Sequence, residues 1–266
     1  MSNSARMKNP NNTPARAARS TPAGRLTCRV IGVGGIGQIV ATYLVRYLAS
    51  LAVPARVVLI DGDVFEHGNE SRMSVPRFFE NKAATLAETL TAACRGTKVS
   101  ILPVPEYVRT DNLSRLIHSG PGESVLMCVD NHATRKLVGD HCEQLDDVCL
   151  VSGGNDGVGP DSSGAVRQGT AGNVQVLVRR AGRNLTLGIS DLHPEIATPQ
   201  DVAPDDVSCG DLLASSPQIL FTNLTAAGCM LNTWWLYSRG ELRYSELVFD
   251  ISKGRTAPVI ELAIVA

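Results

Sequence analysis

Apolar positions along this chain fall into two alternating patterns. Residues 28–33 form a short β-rich run carrying Val and Ile, the mark of a strand. Residues 35–51 then carry Ile36, Ile39, Val40, Tyr43, Leu44, Tyr47, Leu48 and Leu51, a spacing that gives a helix one apolar face. The alternation continues with a strand at 57–60, a helix at 82–94, a strand at 99–104 and a helix at 111–118. A strand at 125–129, a helix at 133–145 and a strand at 148–152 follow. Strands alternating with helices predict a parallel sheet with right-handed crossovers. After residue 152 the pattern changes. Apolar runs at 174–178 and 185–189 flank Arg179-Arg180-Ala181-Gly182-Arg183-Asn184, which predicts a hairpin. Residues 217–237 read as a long, largely buried helix containing Trp234 and Trp235, with β-like runs at 245–251 and 258–264. The expected class is α/β, a mostly parallel sheet with late antiparallel strands. Residues 153–171, rich in Gly and Ser, and 191–216, which hold acids and prolines but no Lys or Arg, read as long loops. Loops of that length are commonly functional.

Composition narrows the reading. A chain of 266 residues, 44% hydrophobic and 19% charged, can bury one large core. Residues 1–25 carry Arg6, Lys8, Arg16, Arg19 and Arg25 with no acid. They are expected to be a disordered basic tail, either solvated or reaching a partner as an arm, ahead of a single domain over 26–266. The formal net charge of −1 gives no reason to expect direct nucleic-acid or membrane binding. With no membrane-length apolar run and no secretory h-region, the expected location is cytoplasmic. Seven cysteines, an odd number without a C-x-x-C pair, predict neither a disulfide framework nor a four-cysteine zinc site. Cys28, Cys128, Cys149 and Cys229 lie in apolar runs and read as small core residues.

Candidate chemistry begins at Gly32-Val33-Gly34-Gly35-Ile36-Gly37, on a strand-to-helix junction. Glycines there allow a tight turn and a close approach to phosphate, and the helix N-terminus supplies free N–H groups. The motif predicts a Rossmann-like nucleotide site and suits NAD, FAD, S-adenosylmethionine or ATP alike. Asp61 ends the next strand, where an acid can accept ribose hydroxyls or simply start a turn. The stretch Asp61-Gly62-Asp63-Val64-Phe65-Glu66-His67-Gly68-Asn69-Glu70-Ser71-Arg72 is followed by Lys82 and by Asp130-Asn131-His132-Ala133-Thr134-Arg135. A NAD-dependent oxidoreductase leaves Asn69, Arg72, Lys82 and Asp130 without assigned work. An ATP site uses them: Arg and Lys neutralise phosphate charge, and Asp130 at a strand end can hold Mg²⁺ through oxygen. His67 and His132, beside this site, are expected in loop or capping roles.

These residues resemble the D-x-D-x-V-x-x-S-N-L-x-R-Q and D-N-x-x-x-R signatures of the ThiF/MoeB/HesA proteins and eukaryotic E1 enzymes. The resemblance implies an E1-like adenylation domain. In such proteins the C-terminal glycine of a ubiquitin-like or sulfur-carrier protein attacks the α-phosphate of Mg-ATP, giving an acyl-adenylate and pyrophosphate. Carried over by position, Gly32, Gly34, Gly35 and Gly37 line the nucleotide loop, with Asp61 on the ribose and Asp63 and Asn131 beside the nucleotide. Asn69, Arg72 and Lys82 meet the phosphates, and Asp130 holds Mg²⁺. The Val, Ser, Leu and Gln of the signature are Phe65, Gly68, Glu70 and Met73 here. Relatives of this kind dimerise, and in some an N-terminal arginine reaches the partner subunit's ATP, a role open to Arg16, Arg19 or Arg25. The later stretches Ser208-Cys209-Gly210, 217–223 and 254–258 are similar to the ThiF-related proteins of plasmid-borne PRTRC cassettes. The same resemblance makes Cys209, in an acidic loop, a candidate acyl acceptor. Its acidic neighbours would raise the thiol pKa, so a plain loop cysteine is the competing reading. Two further functions stay open: a Rossmann-type oxidoreductase, and an ATP-binding scaffold without catalysis.

Overall fold

The computed structural model describes residues 25–160, 164, 166–191, 193–201 and 218–261. Five strands build the parallel half: β1 (Leu26–Ile31), β2 (Ala55–Ile60), β3 (Val99–Val104), β4 (Glu123–Met127) and β5 (Val148–Asn155). Between them lie α1 (Gly35–Ser50), α2 (Lys82–Ala93), α3 (Leu113–Leu116) and α4 (His132–Cys142). A small hairpin of β6 (Val158–Pro160) and β7 (Val166–Gln168) follows. Then come β8 (Ala171–Arg180), β9 (Arg183–Asn184), α5 (Pro194–Ala197), α6 (Leu220–Ser238), β10 (Tyr244–Asp250) and β11 (Arg255–Glu261).

The sheet runs β11-β10-β8-β5-β4-β1-β2-β3, with β9 paired to β8. Strands β1 to β5 are parallel, while β8, β10 and β11 join antiparallel. Strands β1, β2, β4 and β5 are largely buried because helices cover both faces, whereas the edge strand β3 alternates. On one face Cys28, Val30 and Leu126 pack with Leu44 and Leu48 of α1, Leu86 of α2, and Met230 and Trp234 of α6. On the other, Ile31, Val125 and Met127 pack with Leu116, Val138 and Cys142. Alternation along each strand divides these two cores. The chain order reverses between β1 and β4, and the crevice beyond the C-terminal ends of strands at such a point is where open α/β sheets bind ligands.

The elements expected from periodicity are present, with displaced ends and two corrections. Helix 111–118 shrinks to one turn, α3. Residues 185–189 form no strand, because the hairpin closes tightly at Arg180 and Arg183. Within 153–171, expected to be loop, β5 runs on to Asn155 and the hairpin β6–β7 follows. Its residues are largely exposed, so no apolar alternation advertised it. No helix among the described residues is long and apolar enough to cross a membrane.

Candidate nucleotide-binding site

The turn from β1 into α1 holds the site. Gly32 adopts φ +81°, a left-handed conformation that glycine takes without penalty. A Cβ on Gly37 would lie 1.8 Å from the Gly32 carbonyl oxygen, so helix and turn pack at backbone contact. Gly34 precedes the helix with no side-chain cap, and nothing lies within 4 Å of where its Cβ would be. The first N–H groups of α1 therefore face open space, the arrangement that receives phosphate.

Asp61 continues β2 and is buried. Its Oδ2 accepts the Val33 N–H at 2.5 Å and its Oδ1 accepts the Asp63 N–H at 2.8 Å. Burial, and then the neighbouring Asp63, push its carboxyl up to about 6, against the opposing pull of Lys82 and the two N–H groups. Lys82 opens α2 and donates to Asp63 Oδ2 at 2.9 Å. The Tyr107 hydroxyl donates to Asp63 Oδ1. The Tyr107 ring covers Gly62, where a Cβ would fall 2.7 Å from it. Asn69 is buried and its Oδ1 accepts the Glu66 N–H, which folds residues 66–69 into a capping box. Arg72 follows this turn, its N–H donating to the Asn69 carbonyl. Phe65, in place of the signature Val, is fully buried, while Glu70 is exposed.

Across the crevice, Asp130 is exposed beyond the end of β4. Asn131 caps α4 through its Oδ1, which accepts the Thr134 N–H at 2.7 Å. The remaining first-turn donors of α4 go to Asp201, whose carboxylate accepts from His132 at 2.7 Å and Ala133 at 2.8 Å. Arg135 is buried, and its guanidinium donates to Val129 O, Gly153 O and Ser152 Oγ, which fastens the end of β4 to β5. Burial, with Arg135 next in weight, lowers the His132 pKa. His67 stacks on Phe78 with ring centroids 4.2 Å apart.

One cleft of about 420 Å³ brings most of these groups together. Gly32, Gly34, Gly35, Asp61, Asp63, Asn69, Arg72, Lys82, Asp130 and Asn131 all line it. Gly37 acts behind it, through the packing of the turn. Glu66, Glu106, Tyr107, Asn155 and Gln218 also line it and were not expected there. Cys209, Arg16 and Arg19 lie outside the described residues. Burial raises the six described thiols above the ordinary range, to about 12 for Cys28, Cys128 and Cys142. No three His, Cys, Asp or Glu side chains form a metal-binding group among the described residues.

A glycine turn, a strand-end acid and basic groups meet in one crevice at the switch point of a Rossmann-like sheet. The ThiF family model matches residues 21–219, and the chain belongs to that family. It is 28% identical over 142 residues to ubiquitin-like modifier-activating enzyme 5 of Caenorhabditis briggsae, covering 48% of this chain and 30% of that protein. Among solved structures, E. coli MccB with ATP superposes with a TM-score of 0.62 at 13% identity, over 91% of this chain and 66% of that one. E. coli MccB with AMPCPP and MccA gives 0.62 over 91% and 65%. PaaA gives 0.61 at 14% identity, over 90% and 65%. The chain thus spans under a third of the enzyme 5 relative and about two-thirds of these structures. These neighbours share the E1-like adenylation fold.

Proposed function

We propose that this protein uses Mg-ATP to adenylate the C-terminal glycine of a ubiquitin-like or sulfur-carrier protein. One observation carries the reading: the uncapped, open N-terminus of α1 shares its cleft with Asp61 on one side and with Arg72, Lys82 and Asp130 around it. The residues present fit a nucleoside triphosphate. Asp61 takes the ribose hydroxyls, and the Gly34–Gly35 turn receives phosphate. Asn69 holds the shape of the loop that delivers Arg72. Arg72 and Lys82 offset the charge that grows as pyrophosphate departs. Asp130 would hold Mg²⁺ through a carboxylate oxygen, and the ion would supply positive charge against the phosphates.

In the reaction, a carboxylate oxygen of the incoming C-terminus bonds to the α-phosphorus. The bond from that phosphorus to the bridging oxygen breaks, and pyrophosphate leaves with the electron pair. Arg72, Lys82 and Asp130 are the catalytic group at this step, with Cys209 a candidate to take the acyl group afterwards. The enzyme 5 relative supports a ubiquitin-like partner, and the structure of MccB with MccA supports a peptide tail. We assign the working unit as residues 26–266 in a homodimer, with 1–25 as a basic arm, serving a PRTRC-type cassette.

Calorimetry with Mg-ATP, NAD(H) and S-adenosylmethionine tests this. Mg-ATP alone is expected to bind, and Arg72→Ala to weaken it about tenfold, the cost of one charge-assisted phosphate contact. Pyrophosphate exchange with Gly-ending partner proteins then reads the chemistry. Binding of NAD(H) without ATP would overturn the proposal in favour of an oxidoreductase. ATP binding with no exchange would leave a scaffold.

A further inference from the structure

The segment 66–80 is largely exposed and has no helix or strand beyond the short turn His67–Asn69, yet it carries Arg72 into the cleft. Holding such a segment in one shape costs backbone entropy. What fixes it therefore decides whether Arg72 stands ready for a phosphate.

Two buried side-chain amides fix it, one on each side of Arg72. Before Arg72, Asn69 closes the capping box with Glu66, and the Asn69 carbonyl accepts the N–H groups of Arg72 and Met73, each at 3.1 Å. After Arg72, Gln38 reaches across from α1. Its Nε2 donates to the Ser74 carbonyl at 2.7 Å, and its Oε1 accepts the Ser74 N–H at 2.8 Å. Gln38 is 8% exposed while Ser74 is exposed, so the backbone of a surface loop is tied to a side chain seated in the core.

Gln38 belongs to the phosphate turn as well. Its own N–H donates to the Gly34 carbonyl at 2.9 Å, the bond that opens α1. The Arg72 carbonyl lies against the same turn, 3.5 Å from where a Cβ on Gly35 would stand. One residue thus joins the uncapped helix start, through its backbone, to the loop two positions past Arg72, through its side chain. At this length only a carboxamide offers a donor and an acceptor side by side, as the C=O and N–H of a single residue require; a carboxylate or a thioether does not.

We propose that Gln38 is a positioning residue, which sets Arg72 against the phosphates received at the start of α1. It touches no substrate in this role and acts through the Ser74 backbone. The inference rests on the adenylating reading above and adds to it a residue outside both the glycines and the signature.

Hydrogen exchange of the full chain without nucleotide tests the tie. The Ser74 amide should be protected in wild type although its residue is exposed, and residues 70–76 should exchange about tenfold faster in Gln38→Met. A freely exchanging Ser74 amide in wild type would overturn the proposal, and that reading needs no variant to fold. A double-mutant cycle, with Mg-ATP as the probe in calorimetry, tests the role. Gln38→Met should weaken Mg-ATP about fivefold when Arg72 is present and less than about twofold in the Arg72→Ala background. Gln38→Glu keeps the shape but sets a carboxylate against the Ser74 carbonyl; it should repeat the cycle, and it serves should the Met variant fold poorly. Equal losses in both backgrounds would make Gln38 structural and overturn the role, as would a lowered melting temperature with Mg-ATP affinity unchanged. A wild type that binds no Mg-ATP would sink the adenylating reading and the role with it. A wild type that binds Mg-ATP while the cycle shows no coupling would overturn the role alone.

Discussion

Asp61 shows how a single side chain ties fold to site. Its carboxylate accepts two backbone N–H groups: that of Val33 holds the glycine turn against β2, that of Asp63 shapes its own turn, and lone pairs remain for a ligand. Its pKa near 6 lies above the unfolded value of 3.8, so the folded state binds the proton more tightly. The sign follows: this group's contribution to stability falls as pH rises from about 4 to 6, and is flat above. A ribose hydroxyl, by contrast, donates best to the ionised carboxylate. Nucleotide affinity is therefore expected to rise as pH climbs through about 6, and calorimetry at pH 5 to 8 should lose that step in Asp61→Asn. A flat profile in wild type would disprove the assignment. Asp61 was legible from sequence because its chemistry is local to a strand end. Tyr107 and Asn155 were not, because their place at the cleft depends on neighbours that only folding supplies.

At the scale of elements, helix starts divide into filled and open. Asn81 caps α2 and Asn131 caps α4, both by an i to i+3 bond visible in sequence spacing. Asp201 adds two bonds to α4 from 68 and 69 residues away. Sequence could not reveal that cap, and the prolines and acids around it gave only a loop. Asp201→Ala should cost about 1 kcal/mol, seen as a lower melting temperature, while Asp201→Asn should recover much of it. No loss in the Ala variant would mean that solvent satisfies these donors equally well. The inner parallel strands were readable because burial on both faces makes them mostly apolar. The hairpin β6–β7 was not, because short exposed strands leave no period.

Across the whole molecule, one ionic group ties the α5 segment to the antiparallel strands β8 and β10. His193 bonds to Glu246 of β10 at 2.7 Å and to Glu195 at 2.8 Å, and Asn173 of β8 donates to the same Glu246 at 2.8 Å. The Glu246 hydrogen bond raises the His193 pKa even though burial opposes it. Burial alone would raise Glu246, but the bonds from His193 and Asn173 outweigh it, and its pKa falls. The histidine's stabilisation is complete below its unfolded value of 6.5 and lost as pH rises through the higher folded value. The carboxylate's is present above 4.5 and lost as pH falls through its lower folded value. His193→Gln should therefore lower the melting temperature most between about pH 4.5 and 6.5 and progressively less in alkali. An equal loss at every pH would assign His193 to packing alone.

The seclusion of the described thiols has a practical consequence. Cysteines at 28, 94, 128, 142, 149 and 229 are buried or half-buried, and burial holds each of them protonated at neutral pH. Thiolate is the form that alkylates. Brief iodoacetamide treatment of the native protein at pH 7 should therefore leave these six silent in peptide mass maps, so that any tag falls on Cys209. A tag on one of the six in folded protein would contradict this. A dye or crosslinker could therefore be attached to a cysteine introduced on the surface without first stripping the chain of these six.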